Sequence, residues 1–299
     1  MRIGAHAQIW VAPFTGETLD LVGHVRDLGF DAIDINVGAL PPPFPAAALR
    51  RRLTEAGLQA SLGAFLNAGR DITSPDAEVR QAGVEFLVGV AQLCGEVGAP
   101  TFIGPMHSEI RRQRVDPPPV REERWKRCVD GLAAVAREAE RVGIRVAVEI
   151  LNRYESDFLT TTADGVRLCR AVGNPRLGLL LDTFHMNIEE RRIGEAFRAA
   201  AGHIVHVHTC ENDRGAPGSG HIDWVEVRDA LREVGYDGVC TIESYSPDLP
   251  ALVQRTSFWR AVASSPDELA GAGLAFLRRL FEEAQPPTRD PGPRSSMPP

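Results

Sequence analysis

The sequence is poor in lysine, in paired cysteines and in long apolar segments, and each shortage excludes a class of protein. Lys126 is the only lysine among 33 basic residues, and 40 acidic residues give a net charge of −7. A broad basic surface that could hold a nucleic-acid backbone is therefore not expected. No segment approaches the ~20 apolar residues of a membrane-spanning helix, and the N-terminus has no charged start followed by an apolar stretch. We expect a cytoplasmic protein with neither a nucleic acid nor a membrane as its partner.

The cysteines are odd in number, widely spaced and without a Cys-x-x-Cys pair. They are Cys94, Cys128, Cys169, Cys210 and Cys240. This pattern fits reduced thiols in the cytosol rather than a disulfide framework, and we expect most of them to be buried.

The chain is rich in short apolar runs that alternate with amphipathic segments, which is typical of βαβ units. Strands are predicted at 3–9, 31–37, 58–64, 100–104, 144–149, 176–182, 203–208 and 238–243. Helices are predicted at 16–29, 45–57, 75–97, 119–142, 163–172, 189–201, 223–235 and 265–284. Eight such units predict an α/β fold, a single (β/α)8 TIM barrel over residues 1–284, because a barrel of this kind needs roughly 250 residues.

Three segments depart from the repeat. The proline-rich PPPFP at 41–45 and a long connection at 105–118 are both expected on the catalytic face of the barrel. Residues 285–299 combine proline, charge and small polar side chains without periodicity, so we expect a disordered tail there.

Four polar residues close four successive predicted strands. They are Glu149, Asp182, His208 and Glu243. The carboxyl ends of barrel strands form the active-site face, and strand alternation turns these four side chains inward together. Three carboxylates and one imidazole are mostly hard oxygen ligands, which favour Mn²⁺, Co²⁺ or Mg²⁺ over a closed zinc site. We therefore predict one divalent-metal site. Cys210, two residues after His208, is an alternative thiolate ligand.

Several neighbouring polar residues have less specific interpretations. His206 lies one layer deeper than His208 and is expected to be a hydrogen-bonded core residue. Asp223 is expected to cap the seventh predicted helix. His6 and Trp10, at the end of the first predicted strand, and Asp34, within the second, could line the pocket.

Four segments of the sequence resemble the ketose 3-epimerases of the D-tagatose, D-psicose and L-ribulose type, within the xylose-isomerase-like superfamily. They are VEILNRYES at 148–156, LDTFHMNIEE at 181–190, HVHTCENDRGAPGSGHIDW at 206–224 and WR at 259–260. The resemblance runs from the first strand to about residue 284. The chain departs from the family pattern in the first strand, in GPMHSE after the fourth strand and in SYSPDL after Glu243.

The resemblance implies a function for each matching position. Glu149, Asp182, His208 and Glu243 would hold one divalent ion, commonly manganese, and Glu149 and Glu243 would also be the acid and base that epimerise C3 of a free ketose. Glu155, His185 and Arg214 match positions that contact the substrate. The family habit also implies a homodimer or homotetramer.

Other activities remain open on the same core. They are an aldose-ketose or hydroxypyruvate-type isomerase, an inosose dehydratase or isomerase, the lyase subunit that cleaves C-glycosides, a DNA-repair endonuclease and a non-catalytic sugar-binding barrel. Arg111, Arg112 and Arg114 bear on the choice. They are either a solvated run or a loop that binds a phosphorylated or acidic sugar.

Overall fold

The computed structural model describes residues 1–38 and 44–283, and in these ranges it contains eight strands. They are β1 (Arg2–His6), β2 (Ala32–Asn36), β3 (Gln59–Gly63), β4 (Thr101–Gly104), β5 (Arg145–Glu149), β6 (Leu177–Asp182), β7 (Ile204–His208) and β8 (Val239–Ile242). All neighbours pair in parallel, and β8 pairs with β1, so the sheet closes. The predicted (β/α)8 barrel is confirmed.

The helices surround this barrel. They are α1 (Leu21–Asp27), α2 (Ala46–Ala56), α3 (Ala77–Val97), α4 (Pro118–Val142), α5 (Thr162–Val172), α6 (Thr183–Glu189), α7 (Ile193–Ala199), α8 (Trp224–Glu233), α9 (Pro250–Thr256) and α10 (Pro266–Glu282). No helix in the described part of the chain is long and apolar enough to cross a membrane.

Local sequence signals explain where the long helices begin and end. Asp76 accepts a hydrogen bond from the backbone N–H of Glu78 and so caps α3, and Thr161 forms a capping box with Asp164 at the start of α5. Gly143 ends α4 with a φ of 81°, a left-handed conformation that costs glycine nothing. The chain then turns directly into β5.

The predictions differ from the structure at several boundaries. Residues 7–9, predicted as strand, form a short 3-10 helix, and the helix predicted at 16–29 is a 3-10 turn followed by α1. The helix predicted at 189–201 is also wrong in extent, because α6 begins directly after β6 and α7 follows it. Helix α9 was not predicted. Part of PPPFP, at 41–43, and the predicted tail at 285–299 lie outside the described residues.

The barrel interior is closed beneath the ends of its strands. Ala147 and Leu180 lie two positions before the ends of β5 and β6 and therefore point inward. They form a fully buried cluster with Ile103 and Val205. Val205 joins this layer because a register shift between β6 and β7 leaves it without a partner on β6. Below the ends of β4, β5 and β6 the barrel interior is thus apolar.

Candidate active site

The four strand-end residues converge as the sequence predicts. One potential ligand atom from each of Glu149, Asp182, His208 and Glu243 lies within 4.8 Å of the others, and all four side chains are buried. His208 Nδ1 is 3.4 Å from Glu243 Oε2 and 3.8 Å from both Asp182 Oδ2 and Glu149 Oε1. This nitrogen is buried without a hydrogen-bond partner. When the ring gives up its Nδ1 proton, this nitrogen presents a lone pair to the space between three carboxylates, an arrangement that a divalent cation completes, so the residues fit a metal.

The carboxyl groups in the cluster differ in their electrostatic surroundings. Burial raises the pKa of Glu149 above its ordinary value. Burial acts in the same direction on Glu243, but the charges of Arg214 and His208 outweigh it and hold the pKa of Glu243 well below its ordinary value. Arg214 likewise lowers the pKa of Asp182 against the effect of burial. The two glutamates are therefore unlike in proton affinity, as acid and base partners in active sites often are.

Arg214 lies inside the cluster rather than at its edge. Its Nη1 donates to Asp182 Oδ2 and to Glu243 Oε2, each at 2.7 Å, and lies 3.0 Å from Cys210 Sγ. The guanidinium also packs over the ring of Phe184, 4.1 Å from its centroid. Arg214 therefore fixes two of the candidate ligands while it lines the cavity above them.

The loop that carries Arg214 is organised by Glu211, which the sequence reasoning did not single out. Glu211 is fully buried, and its carboxylate accepts from Trp224 Nε1 at 2.8 Å and from the backbone N–H groups of Gly218 and Ile222 at 2.9 and 3.0 Å. Arg214 itself has a left-handed backbone, with a φ of 66°. Ser244 donates to its carbonyl at 2.6 Å, which ties the loop to the end of β8.

Asn152 joins His185 and Glu155 by donating a hydrogen bond to each. The backbone N–H of Asn152 donates to His185 Nδ1 at 3.2 Å, so Nε2 carries the ring proton and faces Glu149 Oε1 at 3.6 Å. The Asn152 amide donates to Glu155 Oε1 at 3.2 Å. Both predicted substrate residues border the cavity. The role of Asn152 was missed because His185, which it joins to Glu155, is 33 positions away in the sequence.

The strand ends open into a cavity of about 580 Å³, a volume that includes space open to solvent. Gly104, at the end of β4, has a φ of 125° and leaves no room for a side chain, since a Cβ would lie 2.2 Å from the carbonyl oxygen of Ala64. His6 lines the opposite wall. Its Nδ1 accepts from the backbone N–H of Gln8 at 3.2 Å, so the Nε2 proton faces Glu243, and burial lowers the pKa of His6 to about 4.

Three polar residues of this wall were not predicted. Gln8, Tyr245 and Arg255 line the cavity. Arg255 donates to Gln8 Oε1 at 3.1 Å and lies over the ring of Phe65, 4.6 Å from its centroid. Among the described residues it has no carboxylate partner, unlike Arg214. It reaches the cavity from α9, so only a prediction of that helix could have found it.

The connection after β4 folds over the cavity, and Ile110 lines it. Arg111 Nη1 donates to the backbone carbonyls of Gln254 and Arg255 at the end of α9, and its own N–H donates to the Glu155 carbonyl at 2.7 Å. We call this bridge between the β4 and β8 connections the arginine clasp. Arg111 joins loops whose strands stand opposite each other in the barrel.

The expectation of a solvated arginine run is wrong for Arg112. It is paired with Asp116 at 2.8 Å and with Asp157 at 2.5 Å, and Arg124 bridges the same two carboxylates at 2.7 and 3.0 Å. Arg114 is exposed. None of the three arginines of this run lines the cavity, so the structure does not favour a phosphate role for them.

The contacts of the remaining residues can be compared with the roles predicted for them. His206 is a buried, hydrogen-bonded core residue as expected, with Nε2 2.8 Å from Asp34 Oδ2. Asp223 caps α8 as expected. Trp10 and Asp34 do not line the cavity. The Cys210 sulfur does not belong to the ligand atoms that converge among the described residues, which argues against the thiolate alternative.

Comparison with known proteins identifies the fold family of this chain and its relatives. The family model described as the xylose isomerase-like TIM barrel matches residues 22–280. The L-ribulose 3-epimerase of Mesorhizobium japonicum is 34% identical, over 94% of this chain and 97% of its own. The D-psicose 3-epimerase of Agrobacterium fabrum is 30% identical, over 93% of this chain and 98% of its own. A solved structure of an L-ribulose 3-epimerase has a TM-score of 0.88 at 34% identity and covers 94% of both chains.

The chain belongs to the ketose 3-epimerase family. It is an enzyme of the isomerase class, and the resemblance found in its sequence is confirmed.

Proposed function

We propose that the protein is a metal-dependent epimerase that inverts C3 of a free ketose. The observation that carries the proposal is the pair Glu149 and Glu243. Both carboxylates face one cavity, and they lie at the ends of β5 and β8, two strands that are three apart around the barrel. Inversion at carbon needs a proton-transfer group on each face, whereas a 1,2-isomerisation can use one group on one face.

Glu149, Asp182, His208 and Glu243 would hold the metal through three carboxylates and His208 Nδ1. A bound divalent cation would stabilise the negative charge that develops on the oxygens of the ketose when its C3 proton is removed. The oxygen-rich set supports Mn²⁺, with Co²⁺ or Mg²⁺ as substitutes.

Glu149 and Glu243 would exchange one proton each with C3. One carboxylate removes the C3 proton, which leaves an enediolate, and the other returns a proton to the opposite face. His185 supports the assignment of Glu149, because its Nε2 proton faces that carboxylate at 3.6 Å. Arg214 supports the assignment of Glu243, because its Nη1 donates to Glu243 Oε2 at 2.7 Å and holds that carboxylate in place at the cavity.

Glu155, His185 and Arg214 would orient the carbonyl end of the sugar, since all three border the cavity near the carboxylates. Arg255 and Gln8 would bind hydroxyls at the far end. Arg255 presents its remaining N–H groups without a competing carboxylate among the described residues, and an arginine can donate five hydrogen bonds. A cytoplasmic location and a homodimer or homotetramer remain predictions.

The reaction is tested by turnover in D₂O with a panel of free ketoses, including ribulose, tagatose, psicose and fructose. We expect deuterium at C3 together with inversion at that carbon, and nearly full labelling of the first-formed product because a different carboxylate returns the proton. Label at C1 or C2 alone would indicate a 1,2-isomerase. Loss of water or of an aglycone from inososes or 3-keto-glycosides would favour the dehydratase or lyase alternatives.

A further inference from the structure

Asp34 is a buried carboxylate that borders the metal cluster without belonging to it. It lies in the middle of β2 and is fully buried. Its Oδ2 is 2.8 Å from His206 Nε2 and 3.3 Å from His208 Nε2. It therefore contacts His208 at the ring nitrogen opposite the one that faces Glu149, Asp182 and Glu243.

These contacts determine which nitrogen of His208 carries the proton. A carboxylate oxygen only accepts hydrogen bonds, so Nε2 must be the protonated nitrogen where it approaches Asp34. In the neutral ring Nδ1 is then left with its lone pair, and Nδ1 is the buried nitrogen without a partner that lies 3.4 Å from Glu243 Oε2. The tautomer that Asp34 selects is thus the one that a metal at Nδ1 requires.

His206 holds the carboxylate in place from below. It contacts Asp34 Oδ2 and also lies 3.1 Å from Thr241 Oγ1 on β8. The chain from Thr241 through His206 and Asp34 to His208 spans β8, β7 and β2 and is buried throughout. The orientation of His208 is therefore fixed by the barrel interior and not by a mobile loop.

We infer that Asp34 is a positioning residue, which orients His208 and fixes its tautomer so that Nδ1 is presented to the metal. The inference rests on the proposed metal site. Carboxylate partners of this kind typically change metal affinity about 10–100-fold when they are altered. Asp34, His206 and His208 could also hold a second ion on distance alone, but the two Nε2 protons that approach Asp34 occupy the lone pairs such an ion would need.

The test is calorimetric titration of Mn²⁺ into the chelator-treated full chain, for the wild type and Asp34→Asn. The amide keeps the size of the side chain but can donate to His208 Nε2 and so favour the wrong tautomer, as an equivalent change does in a serine-protease triad. We expect one Mn²⁺ per chain for the wild type and binding about 10–100-fold weaker for Asp34→Asn. Asp223→Asn is the matched control, because it makes the same change at an exposed helix cap and should leave the Mn²⁺ affinity unchanged.

A second measurement does not depend on the variant folding. In the Co²⁺-loaded wild type, the His208 Nε2 proton should give a paramagnetically shifted NMR signal that exchanges slowly with water, because it is buried against Asp34. Absence of that signal, equal Mn²⁺ affinity of wild type and Asp34→Asn, or two Mn²⁺ per chain would each overturn the inference and leave the proposed epimerase standing. A wild type that binds no Mn²⁺ would remove the proposed metal site itself.

Discussion

Replacing Arg214 with methionine should destabilise the chelator-treated protein strongly. The change removes two 2.7 Å hydrogen bonds to Asp182 and Glu243 and takes from two buried carboxylates the arginine charge that they share. Breaking a buried ion pair from one side costs about 3–5 kcal/mol. At about 2 °C per kcal/mol for a chain of this size, the melting temperature should fall by roughly 6–10 °C.

Arg124→Met is the matched control. Arg124 is as deeply buried and also bridges two carboxylates, Asp116 and Asp157, but it lies outside the cavity. We expect a smaller loss of melting temperature, because Arg112 still pairs with both carboxylates. Excess Mn²⁺ should raise the melting temperature of Arg214→Met toward that of the wild type, because a cation replaces the missing charge. It should leave the difference in melting temperature between Arg124→Met and the wild type unchanged.

The stability that Arg214 provides should depend on pH in a defined direction. Arg214 holds the pKa values of Glu243 and Asp182 below their unfolded values of about 4. The resulting stability is present above pH ~4 and is lost as the pH falls through the lowered pKa values. The difference in melting temperature between wild type and Arg214→Met should therefore decrease as the pH is lowered. The reasoning is refuted if the two chelated proteins melt within about 2 °C of each other at pH 7.

Three further outcomes are expected. Glu149→Gln and Glu243→Gln should each lower kcat at least ~10²-fold in a steady-state assay, because each removes a proton carrier; near-normal turnover in either variant would exclude that residue as acid or base. A chelator should abolish epimerisation, and Mn²⁺ or Co²⁺ should restore it better than Zn²⁺, because the ligands are mainly oxygen; full activity in protein shown by elemental analysis to be metal-free would contradict this. Arg255→Met should lower kcat/KM about 10-fold for six-carbon ketoses, from the loss of a charged hydrogen bond, but leave four-carbon ketoses unaffected; an equal loss for both would rule out the far-end contact.

The fold and the candidate metal cluster could be predicted from the sequence because both depend on local patterns. Each strand is a short apolar run, and Glu149, Asp182 and His208 are the last residues of their strands. Alternation along a strand then fixes the direction of each side chain without knowledge of the rest of the chain.

The cavity residue contributed by α9 and the contacts of the loop after β4 could not be predicted in this way. Arg255 reaches the cavity from α9, a seven-residue helix with no amphipathic repeat long enough to recognise. The sequence suggests a solvated Arg112 because Asp157, the more distant of its two partners, is 45 positions away. Only tertiary structure brings such groups together, and the loops that hold them follow no period.

The arginine clasp has a consequence for the pace of the catalytic cycle. The acceptors of the Arg111 guanidinium are two main-chain carbonyls at the end of α9 and the Ser257 hydroxyl, and water can replace either kind of acceptor at little net cost. The two loops can therefore part without unfolding any helix or strand, and the sugar can leave when they do. Parting of the loops is a motion through solvent, so a turnover number that falls as the viscosity of the medium rises would identify product departure as the slow step.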